Sequence, residues 1–216
     1  HGNDSLVCCG ASGRPNIQRS IDSADENLYP KSMRIIAGSL GGRMFESPHS
    51  ARTHPMSEKM RGALFNALGD ISGLTVLDGF AGTGACAFEA ISRGAASAIA
   101  VEQDTVAFKV IMKNIETLGL EEQVTAVRGN ISGWVSNFKD RKFDIVIADP
   151  PYEPKNLDLH LVFKTSNAVK PGGIFVVSCP PDQHETRDLR ARKVGGLELI
   201  LDRKYGDGSI AFYRKK

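Results

Sequence analysis

The sequence is poor in net charge, in cysteine and in long apolar runs, and each shortage narrows its chemistry. Lys and Arg number 27 against 25 for Asp and Glu, a net charge of +2. The chain as a whole therefore carries no polybasic signature, and any contact with nucleic acid must come from a local patch. The four cysteines, Cys8, Cys9, Cys86 and Cys179, show no repeated pair spacing and stand beside no histidine cluster. That supports neither a zinc site nor a disulfide framework, so no metal and a reducing, cytoplasmic setting are expected. No run is long and apolar enough to span a bilayer, and the first residues lack the zones of a signal peptide, so no membrane partner is expected. Internal repeats and low-complexity tracts are missing as well. What is present, 216 residues of which 41% are hydrophobic, suits one α/β domain with a full core and a small appendage.

Residues 1–32 have no strand or helix period and read as a loose or non-native extension, with Met33 the expected natural start. Residues 33–72 read as a small appendage. Two short strands, 33–37 and 43–46, flank the glycine-rich connection Gly38-Ser39-Leu40-Gly41-Gly42 as a hairpin. Ser57 is an N-cap for a helix reaching Leu68, with Met60, Ala63, Leu64, Ala67 and Leu68 on its inner face and Lys59 and Arg61 off it.

Residues 73–216 form the main domain. A buried strand at 74–77 ends in Asp78, and Gly79-Phe80-Ala81-Gly82-Thr83-Gly84 leads into an alanine-rich helix, 85–92. A strand at 97–101 ends in Glu102. Asp104 then caps a helix running to Leu118, with Val106, Val110, Ile111 and Ile115 at helical spacing. A strand at 123–127 leads to Asn130, followed by a short helix with Trp134, Val135 and Phe138. Then come the strand 143–148, a helix from about 156 to 169, the turn Lys170-Pro171-Gly172-Gly173 and a strand at 174–178. The terminal runs 198–201 and 209–213 around Gly206-Asp207-Gly208 read as a hairpin. Alternating strands and helices build a parallel sheet through right-handed crossovers.

Phe143, Ile145, Val146, Ile147 and Ala148 make a nearly continuous apolar run of the kind buried on both faces of a parallel sheet. It stops at Asp149, followed by Pro150, Pro151 and Tyr152. The acid therefore sits at a strand's carboxyl end, where open α/β sheets bind ligands. Two prolines fix φ and donate no N–H, so they present carbonyls and the Tyr152 ring in a stiff loop. A carboxylate, a rigid carbonyl and an aromatic face suit a planar group bearing an amine. A plain turn after a buried strand accounts for Asp-Pro-Pro equally well.

The turn at residues 79–84 has two readings. Gly82-Thr83-Gly84-Ala85-Cys86-Ala87 meets the dinucleotide fingerprint in its alanine-ended form, and Glu102, about 20 residues on, is placed for ribose hydroxyls. On that motif alone a nicotinamide oxidoreductase is favoured. Asp78 with Gly79-Phe80, the Asp149-Pro150-Pro151-Tyr152 edge and the terminal hairpin instead resemble the class I methyltransferases that use S-adenosylmethionine. That resemblance implies a Rossmann-like, seven-stranded, mostly parallel sheet with a C-terminal antiparallel hairpin. It also places Asp78, Gly79, Phe80, Gly82, Thr83 and Gly84 around the cofactor's amino-acid end, Glu102 on its ribose and Asn130 near its adenine. Family members often carry Asp where Asn130 stands.

The resemblance narrows further. Arg34-Ile35-Ile36-Ala37-Gly38 with Gly42-Arg43, Ser57-Glu58-Lys59-Met60-Arg61, Leu64-Phe65-Asn66-Ala67-Leu68, residues 78–84, Asp149 to Tyr152 and Tyr205-Gly206 are similar, in order, to the bacterial guanine-N2 methyltransferases of small-subunit ribosomal RNA. His54-Pro55-Met56 departs from that family's usual Arg-Pro-Thr, and Gly62 from its usual Glu. The resemblance implies methyl transfer to an exocyclic amine held by Asp149 and the Pro150 carbonyl, with Tyr152 stacked on a flipped-out base. Arg34, Arg43, Lys59, Arg61 and Lys204, with Arg203, are the candidates for RNA phosphate contacts, and a solvated surface explains each of them singly as well. The basic cluster Arg187, Arg190, Arg192 and Lys193 reads as an exposed helix face. The expected partner is ribosomal RNA or the small ribosomal subunit, and the chain is expected to act as a monomer. Adenine-N6 transfer on DNA or RNA, glutamine-N5 transfer on protein and RNA binding without catalysis remain alternatives.

Overall fold

The computed structural model describes residues 32–48, 56–151, 159–179, 196–205 and 208–216. Seven strands form one sheet: β3 (Thr75–Asp78), β4 (Ser97–Glu102), β5 (Val124–Arg128), β6 (Phe143–Ala148), β7 (Val169–Cys179), β8 (Leu197–Tyr205) and β9 (Gly208–Lys215). Their order is β5-β4-β3-β6-β7-β9-β8. All neighbours pair parallel except β9, which runs antiparallel to both β7 and β8. The chain winds outward from β3 through β4 to β5 and then returns to β3's other side with β6. The order thus reverses between β3 and β6, the place where open α/β sheets bind ligands at their carboxyl ends.

The helices follow the strands. α2 (Ala85–Ser92) and α3 (Thr105–Leu118) pack on β3, β4 and β5, while α4 (Ile131–Asn137) and α5 (Leu159–Thr165) pack on each other beside β6. Two apolar clusters fill the two faces of the sheet. One gathers Val76, Phe88, Ile111, Ile115, Ile145 and Val176, and the other Leu77, Trp134, Phe143, Val146, Phe175 and Tyr213. Neighbouring residues of one strand point to opposite faces, so both faces of β6 are dry.

The N-terminal appendage is β1 (Ser32–Arg34), β2 (Met44–Glu46) and α1 (Glu58–Leu68). Met33, Ile35, Phe45, Met60, Leu64 and Phe65 join the same buried cluster as Phe88 and Ile111, so these elements share the main core. The glycine-rich connection lies against the far end of α2. Ser39 and Leu40 donate their N–H groups to the Ser92 carbonyl and hydroxyl at 2.7 and 2.9 Å. A Cβ on Gly38 would stand 1.8 Å from the Ser92 carbonyl oxygen, so only glycine lets the two backbones approach this closely.

Four expectations change. On α1 the inner face is Met60, Arg61, Leu64 and Phe65, with Ala67 exposed, because the Phe65 ring and the Arg61 stem fill the space against α2. On α3 the buried stripe is Ala107, Ile111, Asn114, Ile115 and Leu118, and Val106 is 55% exposed, because it lies about 100° around the helix from Ala107 and so falls outside that stripe. Phe138 ends α4 half-exposed, resting on Trp134 with centroids 5.2 Å apart. The helix before β7 stops at Thr165 and gives way to a 3-10 turn at Ser166–Ala168. Val169 and the Lys170-Pro171-Gly172-Gly173 segment belong to β7. Val169 is drawn into the sheet by pairing with Phe143, while Lys170 forms an ion pair with Asp144 at 2.8 Å. Residues 1–31 and the basic cluster at 187–193 lie outside the described residues.

Candidate active site

The carboxyl ends of β3, β4, β5 and β6 bring Asp78, Glu102, Asn130 and Asp149 to one edge. The turn after β3 is pinned by its own backbone. Gly79 N–H donates to the Ile147 carbonyl at 2.9 Å and Ala81 N–H to the Val101 carbonyl at 3.0 Å, which ties the turn to both neighbouring strands. A Cβ on Gly79 would meet Ile131 and Thr165 at 3.2 Å, so this residue lets α4 and α5 close against the strand end. Gly84 caps α2 in the left-handed region, φ 79°, where a side chain would strike the Phe88 ring at 2.7 Å. Gly82 is left-handed too, at φ 51°, but its own face is open, with only the Phe80 carbonyl as near as 4.0 Å. That face is where a ligand can approach the backbone. Thr83 is buried, and its hydroxyl accepts from Ala85 N–H at 3.3 Å as part of the helix start. Phe80 is half-buried against the cluster around Leu77.

The electrostatics are dominated by acids. Glu102 is buried and its two oxygens hold the loop, accepting from Gly82 N–H and Asp104 N–H, each at 2.7 Å. Burial pushes its carboxyl up, and those N–H groups, with that of Gln103, oppose the shift. Asp78 is 2% exposed. Burial first, then the charges of Asp149 and Glu102, push its carboxyl up to about 7, against hydrogen bonds from the Phe80 and Ala87 backbone. Burial raises the adjacent Cys86 thiol, and Asp78 and Asp149 raise it further, so it stays protonated and poorly nucleophilic. Asp149 is half-buried and Pro150 buried. Tyr152 lies outside the described residues.

This arrangement selects the sign of the ligand. In a dinucleotide site the first helix turn faces a pyrophosphate. Here the Asp78 carboxyl takes the Ala87 N–H in that turn, filling the anion position with the protein's own acid. Three coupled carboxyls at one edge suit a cationic, amine-bearing ligand. Among the described residues no group of three His, Cys, Asp or Glu is arranged to hold a metal, and no helix is long and apolar enough to cross a membrane.

The raised Asp78 carboxyl also sets a pH dependence. Between about pH 4 and 7 the folded state binds a proton that the unfolded state has released, so stability falls as pH rises through that window. Glu102 acts in the same direction. Urea midpoints should therefore decline from pH 5 to 8, by up to about 3 kcal/mol in free energy, and the decline should flatten in Asp78→Asn. A midpoint that rises across this range contradicts the assignment.

The cationic side chains separate into two groups. Arg61 is no phosphate ligand, because it is fully buried, donating to the Arg34 carbonyl at 2.6 Å and lying 3.7 Å from Glu89. Arg43 is also committed elsewhere. Its guanidinium donates to the Leu118 and Thr117 carbonyls, each at 2.9 Å, at the C-terminus of α3. Since α3 runs back from the carboxyl edge, that contact lies at the opposite edge of the sheet. Arg34, Lys59 and Lys204 are exposed, with Arg34 paired to Glu58 at 2.8 Å. The start of α1 approaches the β8–β9 hairpin, since a Cβ on Gly208 would stand 3.3 Å from the Met60 methyl and 2.7 Å from the Cys179 carbonyl oxygen. Lys204 pairs in register with Ser209 beside it. Lys59 and Lys204 thus flank the carboxyl end of β7, next to the strand that carries Asp149.

Two residues that matter here were not singled out by the sequence reading. Glu89 gathers the appendage, accepting from Ile36 N–H at 2.7 Å, Ala37 N–H at 3.2 Å and the Arg93 Nε at 2.8 Å; its signal was a lone acid inside an otherwise apolar helix. Gln103 accepts from the Asn130 amide at 3.4 Å; its signal was its place directly after Glu102.

A family model described as conserved hypothetical protein 95 matches residues 33–214. The chain is 34% identical to the ribosomal RNA small subunit methyltransferase D of Buchnera aphidicola subsp. Acyrthosiphon pisum, over 63% of this chain and 69% of that one. It is 30% identical to the protein of the same name from Haemophilus influenzae, over 70% and 80%. Among solved structures, the Escherichia coli protein yhhF superposes with TM-score 0.72 at 25% identity, covering 86% of this chain and 98% of that one. A Thermus thermophilus 16S rRNA N2 methyltransferase in complex with AdoMet and guanosine shares the fold, with TM-score 0.66 at 23% identity over 86% and 50%.

Proposed function

The chain belongs to the conserved hypothetical protein 95 family, and on that premise we propose that it transfers a methyl group from S-adenosylmethionine to the exocyclic N2 amine of a guanine in small-subunit ribosomal RNA. The observation that carries this reading is the reversal of strand order between β3 and β6, with Asp78 at one lip and Asp149 at the other. The names of the Buchnera and Haemophilus relatives support ribosomal RNA as the substrate. The choice of N2 rests on the resemblance of the motifs.

The residues present fit the methyl donor. Its sulfonium and ammonium charges suit the coupled carboxyls of Asp78, Glu102 and Asp149, and the open face of Gly82 allows close approach. Asp78, Gly79, Phe80, Gly82, Thr83 and Gly84 would surround its amino-acid end, Glu102 its ribose and Asn130 its base. When bound, it supplies an electrophilic methyl group. The chain's own residues do the rest. Asp149 accepts a hydrogen bond from the target amine, whose lone pair is otherwise conjugated into the ring. The Pro150 carbonyl accepts from the same amine, and together they turn the lone pair outward. As the nitrogen gains the methyl group its positive charge develops against the Asp149 carboxylate, which receives the proton the nitrogen sheds. Holding both reactants in this geometry supplies much of the remaining acceleration. Stacking by Tyr152 completes the proposed base pocket.

Lys59 and Lys204 at the edge, with Arg34, are the residues we assign to RNA phosphates, which makes residues 33–72 an RNA-facing element of the shared core. Their place beside the carboxyl end of β7 supports this. The chain would act as a monomer in the cytoplasm, on ribosomal RNA or the small subunit. Titration calorimetry separates the principal alternatives. S-adenosylmethionine should bind and NAD should not, with proton release near pH 7 as Asp78 ionises. Binding of NAD alone would sink the reading.

A further inference from the structure

The amino edge of the sheet, opposite the carboxyl edge that carries Asp149, divides by charge. Asp70, Glu121 and Glu122 are exposed just before β3 and β5. Under β6, β7 and β9, which are consecutive in the sheet, the sign reverses. Lys139, Arg141 and Lys142 are exposed in the connection into β6, and Lys170 lies at the start of β7. Arg214 is exposed near the end of β9, which runs antiparallel to β7 and so finishes at this edge. At about 4.8 Å per strand these cations span about 10 Å. The acids among them are few. Asp144 is already taken, accepting from Lys170 Nζ at 2.8 Å and from the Thr75 hydroxyl at 2.7 Å. Glu198, in register with Arg214, pairs with Lys216 at 3.4 Å. The connection itself contributes only Asp140.

An exposed aromatic ring adjoins these cations. Phe138 ends α4 and is 49% exposed. Its ring rests on Trp134, with centroids 5.2 Å and planes 31° apart, and Trp134 rests in turn on Phe143 at 5.9 Å. The Arg141 N–H donates to the Phe138 carbonyl at 3.0 Å, which folds residues 138–141 into a turn beside the ring. A ring held from behind, next to several cations, is the combination that holds a nucleic-acid single strand, since bases stack on the ring while phosphates meet the charges. An acidic peptide would use the cations and leave the ring idle, and a duplex keeps its base faces stacked inside. We propose that this edge is a second RNA surface, which takes a single-stranded stretch of the substrate with one base on Phe138 and phosphates on Lys139, Arg141 and Arg214. The proposal goes beyond the catalytic reading and rests on it only in taking the substrate to be RNA. The six residues of β6, at about 3.3 Å each, put the surface about 20 Å from Asp149. The RNA therefore reaches it through nucleotides remote from the methylated base, and the contact adds affinity without touching the chemistry.

The test is fluorescence anisotropy of the full chain with a labelled oligouridine of about 12 nucleotides, within the usual site sizes for single strands, and without a methyl donor. Phe138→Leu keeps the apolar contact with Trp134 but removes the stacking face, so it should weaken binding about tenfold. Phe138→Tyr should stay within about twofold of wild type. The double variant Lys139→Gln, Arg141→Gln should lower the slope of log affinity against log salt by about 1.4, at about 0.7 per phosphate on a single strand. With small ribosomal subunits as substrate, Phe138→Leu should raise KM and leave kcat unchanged, the mark of lost uniform binding. Circular dichroism confirms that each variant is folded. An unchanged affinity in Phe138→Leu, an unchanged salt slope in the double variant, or a loss confined to kcat overturns the proposal. Polyglutamate binding that weakens in the double variant, with oligouridine binding indifferent to Phe138, assigns the edge to an acidic protein and overturns it too. Absence of methyl transfer alongside the expected anisotropy results removes the catalytic reading alone, because the binding measurement needs no donor.

Discussion

Asp149→Ala should lower the rate of methyl transfer to small-subunit RNA by about 10²–10³-fold, the usual cost of removing a group aimed at developing charge, while S-adenosylmethionine still binds. The separation follows from the geometry. Asp149 ends β6 on one side of the strand-order reversal. The turn proposed to face the cofactor, residues 79–84, follows β3 and is held by Glu102 and Val101 of β4 as well as by the Ile147 carbonyl, so it keeps its anchors without the Asp149 side chain. Removing Asp149 also removes a charge that raises the Asp78 carboxyl, so proton release on cofactor binding should shrink in the same variant. Asp149→Asn keeps a carbonyl that can accept from the amine and should retain more activity than alanine. Full activity in Asp149→Ala contradicts the proposed base pocket.

Glu89→Ala should cost about 3–5 kcal/mol of stability, the scale for breaking a buried ion pair from one side. Glu89 is fully buried between Arg61 and Arg93 and accepts two backbone N–H groups of the appendage. Alanine there leaves Arg61 charged and buried, with Nε already lacking a hydrogen bond, and strands the Ile36 and Ala37 amides. Against a typical total of about 5–15 kcal/mol the loss is large. Glu89→Gln keeps acceptance from the amides but loses the charge, so it should fall between wild type and alanine in urea unfolding. A loss below about 1 kcal/mol for alanine would show that the network contributes no more than a surface pair.

Most of the sheet was readable because its strands are short apolar runs ended by polar residues. Ser97 to Glu102 and Phe143 to Ala148 are buried on both faces, and the polar residues Gln103-Asp104 and the Asp149-Pro150-Pro151 turn mark where the two runs stop. Asp78, Glu102 and Asp149 were legible for the same reason: an acid after a buried strand has nowhere to sit but the edge. Arg61 was not legible. Its spacing put it on the outer side of α1, and only the nearness of Glu89, 28 positions later, makes an internal arginine tolerable. Arg43 misled in the same way, since the α3 carbonyls that it meets are far away in sequence. Val169 read as the end of a helix because nothing local reveals its pairing with Phe143 across the sheet.

The central claim is that this edge methylates a base of small-subunit ribosomal RNA, and mass mapping of that RNA tests it most directly. Undermodified small subunits incubated with the protein and S-adenosylmethionine should gain one methyl group on the N2 amine of a single guanine, and should gain none with Asp149→Ala. A methyl group on another base or atom, or no gain at all with wild-type protein that binds the cofactor, would contradict the account.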